Sequence, residues 1–238
     1  MGNVDDQITS SRAAWRFDSQ VAGTFDQHVR RSVPMYHEVQ EQVRDLSDWF
    51  IERGSSVYDI GCASGMTLSM LARVHKGKDI TWVGIDEAEP MLAAAREKLA
   101  DVENVQLICD SIPARSQLIL NASLVMSLYT LQFVRQKDRP EFIRQVYTGL
   151  QPGGAFILVE KVLGADARVD GIFVELYHAF KRQREFSADE VVEKALSLRG
   201  ILVPDTVAEN EARLHGAGFR TVDTFFRWCN WVGWLAIK

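Results

Sequence analysis

Cysteine is scarce. Cys62, Cys109 and Cys229 are the only three in 238 residues, odd in number and far apart, which excludes a disulfide framework and any metal cluster built on them. No metal site is expected. No apolar run approaches the roughly 20 residues that span a bilayer, so no membrane-spanning helix is predicted. The first residues, up to Arg16, are polar and carry acids before any apolar stretch, unlike a targeting leader, and the expected location is cytoplasmic. A basic excess is absent as well. Lys and Arg number 27 against 32 Asp and Glu, giving a formal net charge of -5. Apart from pairs such as Arg30-Arg31 and Lys181-Arg182 the cations are scattered, whereas a phosphate-binding face needs them clustered. Direct nucleic-acid binding is therefore not expected. No repeat or low-complexity segment interrupts the chain.

What is present is an ordinary globular composition, 47% hydrophobic and 25% charged. The length suits one large α/β domain and is short for two. β-rich runs alternate with helical patterns, the sign of βαβ units feeding a parallel sheet. Strands are predicted at 56–58, 81–85, 105–109, 124–127 and 155–160. Between them, 65–74 repeats Leu68, Leu71 and Ala72 on one face, 90–99 repeats Met91, Leu92 and Ala95, and 139–150 repeats Phe142, Ile143 and Val146. Asn104 and the Pro152-Gly153-Gly154 turn are breakers where helix hands over to strand. A long helical stretch follows at 170–198. A shorter helix at 207–217 stops at Gly218, and two strands, 224–228 and 232–237, are predicted to close an antiparallel edge. The expectation is a single domain over 1–238, an α/β, doubly wound, mostly parallel seven-stranded, Rossmann-like sheet. Residues 1–52 would form a helical lid or interface, 53–162 the cofactor-binding core, 163–200 a helical insertion, and 201–238 the last helix and edge.

The stretch Val57-Tyr58-Asp59-Ile60-Gly61-Cys62-Ala63-Ser64-Gly65 sets an acid and three tiny residues after the first strand, at the crevice where open parallel sheets take ligands. Small residues let the backbone turn sharply and approach a ligand. The spacing is not the Gly-x-Gly-x-x-Gly that seats a pyrophosphate, since position 66 is Met. It looks instead like the first motif of class I S-adenosylmethionine enzymes. Asp59, Gly61, Cys62, Ala63 and Gly65 are thus the first candidate cofactor residues. Asp86 ends the second strand, where a carboxylate can accept from both ribose hydroxyls, and Glu87 beside it disfavours a 2′-phosphate. Read alone, Asp86 serves equally as a helix cap ahead of Pro90. Asp110 and Ser111, after the third strand, either contact the adenine or cap. Ser127 and Leu128, at the end of the fourth, complete the predicted edge.

Beyond those loops the chain resembles the carboxy-S-adenosylmethionine synthases, which feed wobble-uridine modification of transfer RNA. The resemblance runs nearly end to end. It rests on Trp15-x-Phe17-Asp18, Arg31-Ser32-Val33-Pro34-x-Tyr36, Thr130-Leu131-Gln132-Phe133, Glu160-Lys161, His178-x-Phe180-Lys181-Arg182 and Ala212-Arg213-Leu214-His215. It implies S-adenosylmethionine, or its carboxylated form, as cofactor, a homodimer, and a small-molecule carboxylate substrate. It also implies that Tyr36 touches the cofactor and that Arg213 grips the extra carboxylate across a dimer interface, a task suited to a guanidinium fork. His178 would be a base or a polar contact. Two departures lie at the cofactor edge. Leu128 stands where the family has Asn, and the first-motif loop is one residue shorter.

Three functional readings follow. The preferred one is methyl transfer from S-adenosylmethionine to a small anionic acceptor such as the enolisable carbon of a 2-oxo acid, with Arg213 holding the acceptor and His178 or Tyr36 removing its proton. The second is the family chemistry, placing a carboxyl group derived from prephenate on the cofactor. The third is a non-catalytic cofactor-binding subunit that offers an aromatic patch from Phe225, Phe226, Trp228, Trp231 and Trp234.

Overall fold

The computed structural model of the chain describes residues 2–5, 8–111 and 119–238. In chain order the elements are β1 (Gly2–Asp5), β2 (Ile8–Ser10), α1 (Ser19–Ser32), α2 (Tyr36–Ser47), β3 (Ser56–Ile60), α3 (Met66–Val74), β4 (Thr81–Asp86), α4 (Glu89–Lys98), β5 (Val105–Cys109) and β6 (Ala122–Leu128). There follow α5 (Arg139–Gly149), β7 (Leu150–Leu163), α6 (Ala167–Gln183), α7 (Ala188–Ser197), β8 (Asp205–Thr206), α8 (Val207–Ala217), β9 (Thr221–Trp228) and β10 (Trp231–Ile237).

The main sheet runs β5-β4-β3-β6-β7-β10-β9, the seven strands expected, with the two-residue β8 added beside the end of β7. β3 to β7 pair with one another in parallel, while β10 is antiparallel to both β7 and β9. The order reverses between β3 and β6, and a crevice opens at such a switch beyond the carboxyl ends of the strands. Central parallel strands are covered on both faces and so read as continuous apolar runs. Six of the seven residues of β6 are buried, and Ala155 to Val159 of β7 are fully so. One face packs Val39 and Val43 of α2, Leu68 and Leu71 of α3 and Leu92 of α4 on Met126, Ile157 and Val159. The other packs Phe142, Ile143 and Val146 of α5 and Leu214 of α8 on Val125, Phe156, Leu158 and Trp234. Truncating a fully buried Leu68 to alanine costs about 2–5 kcal/mol.

Three sequence expectations need correction. The N-terminal segment is not wholly helical, because β1 and β2 pair as a separate antiparallel hairpin. The stretch 170–198 is two helices. Glu185 takes φ 68°, Ser187 and Glu190 form a capping box that opens α7, and the buried Phe186 lies under the Arg31 guanidinium. Pro152-Gly153-Gly154 is not a turn before a strand but a bulge inside one. β7 advances from Leu150 to Ala155 while β6 advances from Ala122 to Leu124. Among the described residues, no helix is long and apolar enough to cross a membrane.

Candidate active site

The glycine loop leaves β3 under tight steric control. Gly61 has φ +77°, and a Cβ there would lie 2.1 Å from Thr130 Oγ1, so only glycine fits. Ala63 is held at φ 46°, a strained conformation for a residue with a side chain. Asp86 braces it, with Oδ2 accepting from Ala63 N–H and Oδ1 from Ala88 N–H, each at 2.9 Å. Asp86 thus bonds the N–H of Ala88, the N-cap residue itself, and is not the side-chain cap of α4, and it lines the cavity. Burial raises its pKa, and the two N–H groups oppose the rise. Asp59, 3% exposed, is pushed to about 7 by burial and then by the charge of Asp86. From α1, Asp26 accepts from Ser64 Oγ at 2.5 Å and pairs with Lys98, tying this helix to the loop.

A cavity of about 930 Å³ opens over that edge. Small-molecule sites span roughly 300–1,000 Å³, so this one has room for a cofactor and a second small molecule. Tyr36, Asp59, Gly61, Cys62, Ala63, Asp86, Glu87, Asp110, Ser111 and Leu128 all line it, as does His178. The residues fit S-adenosylmethionine: acids end β3 and β4, the loop is cleared of side chains, and the opposite wall is aromatic. Tyr36 donates from its hydroxyl to Met66 Sδ at 3.9 Å, and burial, aided by Asp26 and Asp59, raises its pKa. That makes it a poor base. Burial, then Lys161, Lys181 and Arg182, lowers the pKa of His178, which leaves its imidazole neutral and able to take a proton at neutral pH.

Three predicted residues lie elsewhere. Arg213 is 13% exposed and absent from the cavity wall, with one nitrogen donating to Asp205 at 2.8 Å and another to Asn210 at 3.0 Å. Two of its five N–H donors thus brace α8 against the end of β8, while the grip that the family resemblance gives it acts across a dimer interface, outside the single chain. Ser127 is fully buried behind the wall. Gly65 packs its bare backbone against Ala95 and Leu99 and serves helix packing. Phe226, Trp231 and Trp234 are buried, which removes the exposed aromatic patch.

The cavity also gathers residues that sequence reasoning missed, chiefly Tyr129, Lys161, Tyr177 and Lys181. Lys161 follows Glu160 near the carboxyl end of β7, a position that could have marked it. Glu160 is raised to about 8 by burial although three backbone N–H groups, of Gln132, Leu131 and Thr130, donate to it. It fixes the loop that carries Tyr129. Tyr177 sits on α6 directly before the His178-x-Phe180-Lys181-Arg182 stretch, but nothing in the sequence shows that its ring meets Trp231 at 5.8 Å.

Residues 57–154 match the model of the methyltransferase domain family. The chain is 39% identical over 225 residues to the carboxy-S-adenosyl-L-methionine synthase of Staphylococcus epidermidis, covering 94% of this chain and 97% of the relative. It is 38% identical to that of Methylococcus capsulatus, covering 93% of each. Among solved structures, an O-methyltransferase family protein from Burkholderia thailandensis superposes with a TM-score of 0.66 at 17% identity over 93% of this chain and 60% of that one. Human N-acetylserotonin methyltransferase in complex with S-adenosylmethionine gives 0.60 at 15% identity, over 92% and 55%. This chain thus spans under two thirds of those longer proteins, and with them it shares the fold.

Proposed function

The chain belongs to the carboxy-S-adenosyl-L-methionine synthase family of S-adenosylmethionine-dependent transferases, and from that premise we propose that it transfers a methyl group to a small carboxylate-bearing acceptor, a 2-oxo acid. The observation that carries this reading is a cation beside a neutral base on the cavity wall, Lys161 next to a His178 whose pKa is lowered by burial and then by Lys161, Lys181 and Arg182. Leu128, in the family's Asn position, adds an apolar group to the cofactor edge.

Bound S-adenosylmethionine supplies an electrophilic sulfonium methyl. The protein's part is alignment, exclusion of water and removal of a proton from the acceptor. Asp86 and Asp59 face the ribose and the cationic end of the cofactor. Lys161, half-buried and with its pKa lowered by burial, offsets the acceptor's negative charge, and the neutral His178 beside it takes the proton. A homodimer, carried over from the family, is part of the proposal.

Family chemistry with prephenate is the second reading, favoured by 39% identity along nearly the whole chain. The experiment is mass spectrometry of the small molecule released on denaturing fresh protein, followed by incubation with S-adenosylmethionine and either 2-oxo acids or prephenate. A methylated acid and S-adenosylhomocysteine are expected. A cofactor heavier by one carboxyl group overturns methyl transfer in favour of the synthase.

A further inference from the structure

Buried polar atoms in a folded chain nearly always have partners, and each donor left without one costs about 1–3 kcal/mol. Two exceptions meet in the cavity wall. Tyr129 Oη and Trp231 Nε1 are buried with no hydrogen-bond partner, and both residues line the cavity. Their rings touch edge to face, 5.5 Å between centroids. Trp231 is 4% exposed. It stands directly opposite Lys161 in the pairing of β10 with β7, so both side chains leave the sheet on the same face. Lys161 Nζ lies 4.9 Å from the centroid of the Tyr177 ring, which packs in turn on Trp231. Among the described residues no carboxylate forms an ion pair with Lys161, and Asp170 acts on it only at a distance, its own Oδ1 accepting from Gly164 N–H.

Two neutral donors and a cation without an internal acceptor, on one aromatic wall, have the chemistry of an anion site. We propose that Tyr129 Oη, Trp231 Nε1 and Lys161 Nζ receive the carboxylate of the acceptor, and that the rings of Tyr129, Tyr177 and Trp231 select an aromatic 2-oxo acid. The inference rests on the anionic-acceptor reading above and adds the groups that hold the anion and the class of side chain. Trp231 and Tyr129 orient the carboxylate through the indole N–H and phenol O–H. Lys161 neutralises it. An aromatic acceptor stacks where an aliphatic one would leave the rings uncovered.

The test uses the full chain saturated with S-adenosylhomocysteine, with phenylpyruvate as probe and its neutral methyl ester as control. The chain has six tryptophans, hence six indole N–H resonances, and that of Trp231 is assigned by its loss in Trp231→Phe. Phenylpyruvate should move the Trp231 resonance downfield and the ester should not. The affinity for phenylpyruvate should fall roughly tenfold to hundredfold in Trp231→Phe, Tyr129→Phe and Lys161→Met, with S-adenosylhomocysteine binding unchanged. A Trp231 resonance that moves on adding S-adenosylhomocysteine alone and no further assigns these donors to the cofactor's own carboxylate and overturns the proposal. So does a resonance that phenylpyruvate never moves. A shift without methylation of any acid keeps the cradle and removes methyl transfer. Methylation with an unchanged KM in Trp231→Phe removes the cradle and keeps methyl transfer.

Discussion

Two sets of buried polar groups in this chain use the same kinds of atoms to opposite ends. Beneath the segment before β8, Arg139 is 1% exposed and donates to Asp205 at 2.5 Å and to the carbonyls of Val134, Gln132 and Val203. Asp205 also accepts from Gln136 and Arg213, each at 2.8 Å. Burial alone would raise its pKa, but Gln136, Arg139 and Arg213 hold it below the usual range. Every strong group there has an internal partner. At the other site Tyr129 and Trp231 offer donors that the chain itself never meets. The first arrangement fixes α5 and α8 against the end of β7, and the second leaves its hydrogen-bonding capacity for a ligand. Partner counting, rather than residue type, tells a structural charge from a binding one.

The comparison breaks first at Asp205. Asp205→Asn leaves two guanidinium groups facing a neutral amide in a closed site, and losing one member of such a buried pair costs about 3–5 kcal/mol. For a chain of this size that lowers Tm by on the order of 10 °C. Thermal unfolding checks it, and a Tm within a degree or two of the parent would mean that the cluster does not hold the fold. Arg213→Met comes next. Arg139 still faces Asp205, so the expected loss is about 1–2 kcal/mol of stability with kcat and KM for the acceptor unchanged. Loss of turnover in a stably folded Arg213→Met would place that arginine in the active site.

How far the sequence reaches follows the same division. β3 and β6 were legible because a strand covered on both faces must be apolar throughout, and the Gly61 loop because its crowding against Thr130 tolerates nothing larger. Asp59 and Asp86 were legible as strand-end acids. The contact of Arg213 with Asp205 was not legible, because nothing local announces a residue eight positions earlier as its partner. Trp231 was counted with an exposed patch, since a strand's alternation cannot show which aromatic faces a cavity. The break at Glu185 was invisible because the helical pattern continues through it, while Phe186 is drawn inward by contacts with Arg31 and Lys181 from distant or earlier turns.

The smallest expected effect sharpens the contrast within the cofactor edge itself. Asp59 is an acid whose folded pKa, about 7, lies far above its value in an unfolded chain, because burial and Asp86 both oppose its charge. The folded chain therefore binds a proton that the unfolded chain has released, and this group withdraws stability from the cofactor-free protein as pH rises from about 4 to about 7, with no further change above that. S-adenosylmethionine brings positive charge and favours the ionised carboxylate, so binding expels the proton and affinity should climb with pH up to about 7 and then level. Between pH 6 and 8 the gain is roughly tenfold, following 1.36 kcal/mol per pKa unit. Calorimetric titration in two buffers of different ionisation enthalpy measures both the affinity and the proton released. Asp59→Asn should flatten the profile, and a slope that survives this substitution would pass the titration to Asp86, whose two backbone donors already favour its charge.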